Sequence, residues 1–406
     1  MSTPIVERFE TQAATQRLMS PARMLSHNLT IVLQTLIELG PLSQSDLSRA
    51  LACSKSTISS SIAHLREVGL VVEAGSGNPK TGRKSTLLKF NPRACFFLAV
   101  GLRWRRIDLA VVDMAGRVHH RLSYPWTESD PESLVETIRA GMPRLEEEAG
   151  IRPEKIEGIG IMVPGIVDTH LGVVRFSSVL GWEEEVPLLR LLGDTLHTPM
   201  TIYNDANALA LGELWIGNAK GHSHMAYIYT MGGLGGACLY NGEMILGHDS
   251  AAGEFGKMLV TSDRHPQRAE SFLSLPHMLS RYRSSGPGSM DYGQAVAEAI
   301  ELLREGDDPD AARRMLDELV DKMAQLIVNI VVVFDPQIVV VNCSYLPDPD
   351  AYLSLLRRRV TDYLPTKPLR SAEIVLSSLD ETTEVVGAAA AAISRSRFHF
   401  VVQGRG

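Results

Sequence analysis

The hydrophobic pattern changes near Asn91, and this change restricts the possible folds more than any other feature of the chain. Before Asn91, three stretches with helical periodicity are followed by two strand-like runs around a Gly/Pro/Lys-rich tip. Apolar residues spaced three and four apart predict the first helix over residues 24–40. Ser43 and Ser54 are suitable N-caps for the next two helices. Three helices and a β-hairpin predict a winged helix-turn-helix over residues 1–90.

Strands alternate with helices beyond Asn91, which is typical of an α/β architecture. The first two strand-like runs predict a hairpin that closes near Gly116, and Asn241-Gly242 is a strong signal for another hairpin. A long helix over residues 311–334 has its apolar residues on one side. The predicted fold class is therefore α/β, preceded by the winged helix-turn-helix.

The charge distribution argues against a protein that coats nucleic acid with its whole surface. The net charge is −7, yet residues 1–92 hold ten Lys/Arg against six Asp/Glu, so DNA contact is expected only in this segment. The four cysteines are scattered, which favours reduced thiols. The sequence contains neither a signal peptide nor the run of about 20 apolar residues that a membrane span requires. We therefore expect a cytoplasmic protein without membrane insertion.

A recognition helix requires small polar side chains on its exposed face, because base edges in the major groove are recognised through hydrogen bonds. The third helix supplies that face, and cations of the helix and of the hairpin tip are suitable partners for phosphates. The candidate DNA-binding residues are Ser54, Lys55, Ser56, Thr57, Ser59, Ser60, His64, Lys80, Arg83 and Lys84. The alternative is a three-helix interaction module with a merely solvated face. We favour DNA binding, by a dimer on an inverted repeat.

Several motifs of the second segment occur together in one known family. In chain order they are Pro164–Asp168, Leu180–Trp182, Asn204–Glu213 and the glycine-rich run over residues 232–258. Together they resemble the ROK family, which combines bacterial sugar kinases with sugar-responsive repressors, and residues 27–51 resemble its repressor branch. The resemblance implies a two-lobed actin-like, sugar-kinase-like (ribonuclease H-like) body. Its first lobe would cover residues 91–210, with a helix at 384–398 returning to it, and residues 211–383 would form the effector-binding and oligomerising lobe.

The phosphate-binding positions of the family's kinases are changed here. Where the kinases have Asp-x-Gly-Gly-Thr, this chain has Gly101-Leu102-Arg103-Trp104-Arg105. Where they have a later Gly-Gly, it has Asn342-Cys343. The glycines that are retained are Gly232, Gly233, Gly235 and Gly236. Glycines let backbone N–H groups approach phosphate oxygens, so Arg103 and Trp104 would fill that space. We therefore expect a protein that is not an enzyme and has no cofactor. The alternative is an active sugar kinase with a DNA-binding head.

The zinc-binding positions of the family are changed as well. Its Glu-x-Gly-His is Glu254-Phe255-Gly256-Lys257 here, and the cysteine run that usually follows is missing. A protonated lysine has no lone pair for Zn²⁺, so no metal is expected. An ion pair of Lys257 with Glu254 or Glu270 is expected to hold this loop instead.

The sugar-contacting positions are retained. The resemblance places Asn204, Asp205 and Glu254 against sugar hydroxyls, and Asp205 matches the catalytic base of the kinases. An Asx turn and a helix-start acid are the structural alternatives for Asp205 and Glu254. With Lys257 and Glu270 these residues form the candidate effector site, in which Asp205 binds rather than catalyses. The charge of Lys257 suggests a sugar with a carboxylate or phosphate, or else no ligand.

These expectations combine into one hypothesis. The chain is a homodimeric or tetrameric repressor of carbohydrate genes, and a sugar or acidic sugar-derived effector closes its two lobes. A regulator that is sequestered by a protein partner is a further alternative.

Overall fold

The computed structural model describes residues 21–76, 85–127, 130–194, 196–262, 265–282, 292–305, 309–343, 345–364, 372–380 and 383–399. The chain forms two compact units, Met1–Ala94 and Cys95–Gly406. The predicted fold class is confirmed, since helices with a small sheet form the first unit, and two larger sheets with helices form the second. None of the helices in these ranges is both long and apolar enough to cross a membrane.

The first unit is a winged helix-turn-helix. Its elements are α1 (Pro21–Leu39), β1 (Leu42–Ser43), α2 (Gln44–Ala50), α3 (Lys55–Glu67), β2 (Val71–Ser76) and β3 (Thr86–Phe90), and the antiparallel sheet has the order β1-β3-β2. Both predicted N-caps form, because the Ser43 Oγ accepts from the Asp46 N–H in a capping box and the Ser54 Oγ accepts from the Thr57 N–H. The apolar stripes of the helices are buried, at Leu33, Leu47, Ile58 and Ile62.

The second unit begins with the strands of its first sheet. The strands of the whole unit are β4 (Phe96–Arg103), β5 (Arg106–Asp113), β6 (Val118–Pro125), β7 (Ile156–Val163), β8 (Ile166–Asp168), β9 (Val173–Phe176), β10 (Met200–Asn204), β11 (Met225–Thr230), β12 (Leu234–Tyr240), β13 (Glu243–Met244), β14 (Leu259–Val260), β15 (Gln267–Arg268), β16 (Ile338–Asn342) and β17 (Glu373–Leu376). The helices are α4 (Pro131–Ala149), α5 (Leu188–Gly193), α6 (Asp205–Trp215), α7 (Glu270–Leu273), α8 (Leu275–Tyr282), α9 (Tyr292–Glu305), α10 (Pro309–Phe334), α11 (Pro349–Tyr363) and α12 (Val385–Ser394).

The first sheet has the order β10-β7-β4-β5-β6. Strands β4, β5 and β6 are antiparallel neighbours, and β7 lies parallel to β4 and β10. Leu98 of β4 and Leu134 of α4 belong to one buried apolar cluster. Helix α12 packs closely on β7, because a Cβ at Gly160 would collide with the carbonyl oxygen of Ala388.

The second sheet has the order β13-β12-β11-β16-β17. Strand β11 is antiparallel to β12 and parallel to β16, which is parallel to β17. Met315, Leu319 and Met323 of α10 are fully buried beside this sheet, as the one-sided apolar pattern predicted. Two segments join the sheets: α6 leads to β11, and residues 377–384 lead from β17 to α12.

The turns of the second unit partly differ from the prediction. The hairpin at Asn241-Gly242 is confirmed, with φ values of +53° and +74°. The predicted hairpin of β4 and β5 forms, but the prediction that it closes near Gly116 is wrong. The two strands are joined at Trp104-Arg105, and Gly116 lies in the next turn, between β5 and β6. Arg105 takes a left-handed φ of +55°, so this turn forms without the glycine that the prediction relied on.

Candidate functional site

A cleft of about 450 Å³ is lined by loops from both sheets of the second unit. The five candidate effector-binding residues all line it: Asn204, Asp205, Glu254, Lys257 and Glu270. The first two come from the junction of β10 and α6, and the others from the loop after β13 and the start of α7. Motifs that are far apart in the sequence are therefore brought to one place.

Asn204 and Asp205 serve the start of α6 as well as the cleft. The Asn204 Oδ1 accepts a 2.8 Å hydrogen bond from the Asn207 N–H, and the Asp205 Oδ1 accepts a 2.9 Å bond from the Ala206 N–H. Burial raises the pKa of Asp205 to about 6; the bond from Ala206 opposes this rise, and the negative charge of Glu254 adds to it. Asp205 can therefore exchange a proton near neutral pH, which suits a group that donates to and accepts from hydroxyls.

Lys257 forms its predicted ion pair with Glu270. Its Nζ lies 2.8 Å from the Glu270 Oε2, and the Nη1 of Arg268 lies 3.6 Å from the other carboxylate oxygen. The protein itself thus compensates the charge of Lys257. Burial raises the pKa of neighbouring Glu254, while the positive charge of Lys257 acts in the opposite direction.

A network of buried charges lies behind the β4–β5 turn. Arg103 pairs with Glu384, whose side chain is 2% exposed, and the Arg103 Nε lies 3.9 Å from Asp108. Asp108 also lies 3.0 Å from both Arg106 and Arg121. Neither Glu384 nor Asp108 was among the residues predicted from the sequence. No local pattern could have identified Glu384, because it lies 281 residues from Arg103 in the chain.

Trp104 connects the β4–β5 turn with α9. A Cβ at Gly293 would collide with the Trp104 ring, so this approach requires glycine. The Arg105 guanidinium lies 4.6 Å from the centre of the same ring. A nucleotide phosphate requires free backbone N–H groups or available cations, whereas this turn presents an indole, Arg103 paired with Glu384, and Arg105 placed on the indole. The residues present therefore do not fit a nucleotide here.

One of the retained glycines has a structural role near the cleft, whereas a Cβ at another, Gly233, would meet no other atom within 4 Å. A Cβ at Gly236 would collide with the Phe255 ring, so this glycine allows β12 to pack against the loop that carries Glu254. Asn342 is fully buried, and its Nδ2 donates to the Tyr227 hydroxyl at 3.2 Å. Among the residues that the structure describes, no three His, Cys, Asp or Glu side chains form a group that could hold a metal ion.

The candidate DNA-binding face lies on α3. The exposed members of the predicted set are Ser54, Lys55, Ser56, Ser59, Ser60 and His64, and Thr57 is half-buried. The Ser54 Oγ bonds to the hydroxyls of Ser56 and Thr57 at 2.8 and 2.9 Å, which fixes the start of the helix. Lys80, Arg83 and Lys84 lie outside the described residues. The role of this face in DNA binding stays a prediction.

Comparison with family models covers both units. The ROK family model matches residues 98–395, and the model of the arsR family of bacterial regulatory proteins matches residues 31–72.

Comparison with individual proteins gives relatives of two kinds. The xylose repressor of Caldicellulosiruptor bescii is 26% identical over 381 residues, which cover 90% of this chain and 95% of the repressor. The glucokinase of Thermotoga maritima is 27% identical over 250 residues, which cover 58% of this chain and 79% of the glucokinase. A solved ROK family transcriptional regulator, a homologue of the E. coli MLC protein, has a TM-score of 0.73 at 18% identity and covers 94% of this chain and 100% of its own.

Proposed function

Because this chain belongs to the ROK family, we propose that it is a DNA-binding transcription regulator, a repressor of carbohydrate genes controlled by a sugar effector in the cleft. One observation carries the proposal, namely that one chain combines two features. The first is a capped helix with an exposed serine-rich face, and the second is a cleft in which side chains fill the turn that binds phosphate in the kinases. The arsR-type match of the first unit and the similarity to a xylose repressor over 90% of the chain support it.

The cleft suits a neutral sugar. Vicinal hydroxyls both donate and accept hydrogen bonds, and the carboxyl groups of Asp205 and Glu254 match them. The charge of Lys257 is compensated by Glu270. A neutral sugar is therefore proposed in place of the acidic ligand that Lys257 suggested from sequence. Such an effector changes DNA affinity only if it binds the DNA-bound and the released arrangement with different affinities.

Gel retardation on the DNA upstream of the protein's own gene tests the proposal. A specific complex should form, weaken steeply as salt increases, and change in affinity when xylose or glucose is added. Lys55→Ala should weaken binding and reduce the salt slope by about one, as the loss of one phosphate contact does. Arg139→Ala, which removes an exposed cation from α4 in the other unit, is the control. Sequence-independent binding, or equal effects of the two variants, would contradict the assignment.

An active sugar kinase is the second candidate function. The pKa of Asp205, about 6, is suited to a general base, and this observation favours the kinase. The filled β4–β5 turn outweighs it, so we propose that the protein does not transfer phosphate from ATP. Coupled measurement of ADP release with glucose and xylose decides, with Asp205→Asn as the control: turnover above that of the variant would establish the kinase.

The oligomeric state and the functions of the domains are part of the same proposal. We propose a cytoplasmic homodimer or tetramer on an inverted repeat, with residues 1–90 binding DNA, 91–210 and the C-terminal helix forming the first lobe, and 211–383 binding effector and partner subunits. Light scattering of the protein with and without a palindromic duplex measures both stoichiometries. Release from DNA by a cell extract free of small molecules would instead support control by a protein partner.

A further inference from the structure

The cleft extends beyond the residues that suit a sugar ring. Asp205 and Glu254 line it, and so do Trp104, Gly293 and Val296, which lie on the β4–β5 turn and on α9. The first two residues are acidic and the others are aromatic, small or aliphatic. The cleft therefore presents an acidic part and, beside the Arg103–Glu384 ion pair that also lines it, a part with an indole and an aliphatic side chain, as sites for ligands of mixed polarity do.

Trp104 is placed as a binding surface. The other three tryptophans, Trp126, Trp182 and Trp215, are 4–6% exposed and belong to the core, whereas Trp104 is half-buried and lines the cleft. Its ring is held by the backbone of Gly293 and by the Arg105 guanidinium. An aromatic ring fixed in advance loses little conformational entropy when a ligand is placed on it.

The charges around Trp104 argue against an anionic occupant. Arg103 pairs with Glu384, and the Arg106 Nε lies 3.0 Å from Asp108. An anion would have to compete with these buried carboxylates for the same guanidinium groups, which is unfavourable. A neutral ring with an apolar face does not compete for these guanidinium groups, and it would pack on the part of the indole that faces the cleft beside Arg105. Sugar rings have C–H faces of this kind, and so have aryl groups, and both pack on an indole.

We propose that Trp104 forms a second subsite, and that the effector is a two-ring glycoside rather than a monosaccharide. The terminal sugar ring contacts Asp205 and Glu254, and the second ring, a sugar or an aryl aglycone, lies on Trp104. The inference rests on the proposed function in one respect, namely that the cleft is the effector site. It adds the size class of the ligand and the residue that selects it.

Calorimetric titration of the full-length protein tests the subsite. The ligands are xylose and glucose, the disaccharides xylobiose and cellobiose, and phenyl β-xyloside and phenyl β-glucoside. The wild-type protein should bind at least one two-ring ligand about tenfold more tightly than its monosaccharide. Trp104→Ala should remove this preference and leave monosaccharide affinity within about twofold, whereas Trp126→Phe, a tryptophan of the core, should retain it. The comparison of disaccharides with phenyl glycosides identifies the second ring.

Tryptophan fluorescence gives an independent measurement. The difference between wild-type and Trp104→Phe spectra isolates the emission of Trp104. This emission should shift to shorter wavelength when a two-ring ligand covers the indole, and the monosaccharide should cause a smaller shift. Gly293→Ala, which displaces the ring without removing it, should weaken two-ring ligands selectively, and it replaces Trp104→Ala if that variant does not fold.

The outcomes separate the subsite from the proposed function. If monosaccharides bind as tightly as two-ring ligands and change DNA affinity, the subsite is refuted and the repressor function stands. If none of these sugars binds while the protein still binds its DNA, the effector role of the cleft is refuted, and the subsite with it.

Discussion

Glu213→Gln removes one charge from a carboxylate that is fully buried between the two segments joining the sheets. Its Oε1 accepts hydrogen bonds from the Ser377 Oγ at 2.6 Å, the Ser378 N–H at 2.8 Å and the Leu379 N–H at 3.2 Å. Its Oε2 accepts from the Asn218 N–H at 2.8 Å and from the Ser378 Oγ at 3.3 Å. Helix α6 is thereby tied to the segment that leads from β17 to α12.

The magnitude follows from this set of donors. Glutamine keeps one acceptor oxygen and replaces the other by an NH₂ group, so a backbone N–H now faces a donor. A buried donor left unsatisfied costs about 1–3 kcal/mol, and each remaining bond loses the additional strength that the charge supplied. Relief from burying a charge offsets part of this loss. We expect the free energy of unfolding of the second unit to fall by about 3 kcal/mol.

Urea unfolding followed by tryptophan fluorescence measures this value for the second unit alone, because all four tryptophans lie between residues 104 and 215. Hydrogen exchange should also accelerate at the amides of Ser378 and Leu379, which lose their charged acceptor. The control is Glu136→Gln on the exposed face of α4, which should change stability by no more than about 0.5 kcal/mol. An unfolding midpoint of Glu213→Gln equal to that of the control would refute the reasoning.

Two further predictions concern the cleft and the head. The pKa of Asp205 is raised from 3.8 to about 6, so its contribution to stability is present below pH 4 and lost as pH rises through 6. Asp205→Asn should therefore be more stable than the wild type by about 3 kcal/mol at pH 8 and equal to it below pH 4. Urea unfolding across that pH range measures the difference, and a difference that does not change with pH would contradict this. Ser54→Ala removes the N-cap of α3 and should cost the first unit about 1 kcal/mol, measured by faster exchange of the Thr57 amide; unchanged exchange would show that the cap is dispensable.

The parts of the fold that depend on local signals could be predicted from the sequence. The caps at Ser43 and Ser54 and the turn at Asn241-Gly242 each depend on residues within a few positions of one another, and all three form. The turn at Trp104-Arg105 could not be predicted in this way. A left-handed arginine is unfavourable in isolation, and contacts that exist only in the folded protein, such as the packing of Trp104 on Gly293, accompany it.

The candidate site likewise contains residues that could be predicted from the sequence and residues that could not. Asn204, Asp205 and Glu254 could be selected because motifs carry them, and the structure places them in one cleft. Sequence also named Glu270 as one of two possible partners of Lys257. The partners that determine the character of the β4–β5 turn, Glu384 above all, come from elements that meet only when α12 packs on the first sheet. Sequence could show that a glycine was replaced by an arginine, but not which carboxylate balances its charge.

The compensation of the Arg103 charge by Glu384 leads to a last prediction, which a double-mutant cycle on these two residues tests. Arg103→Gly restores the glycine of the kinase motif but leaves Glu384 buried without its main partner, so it should destabilise the second unit by about 3–5 kcal/mol. Glu384→Ala should lower the free energy of unfolding by less, because Arg103 keeps a negatively charged partner in Asp108, at 3.9 Å. The double variant should be more stable than Arg103→Gly alone, with a coupling of about 2 kcal/mol in urea unfolding.

The same cycle shows why a glycine alone cannot restore a phosphate site. In Arg103→Gly the uncovered carboxylate of Glu384 still lines the cleft and repels a phosphate group, so ATP binding should stay undetectable by calorimetry. Because the arginine and the glutamate compensate each other, removing either one alone is unfavourable. Additive effects of the two substitutions, or ATP binding by Arg103→Gly, would show instead that Arg103 does no more than occupy space.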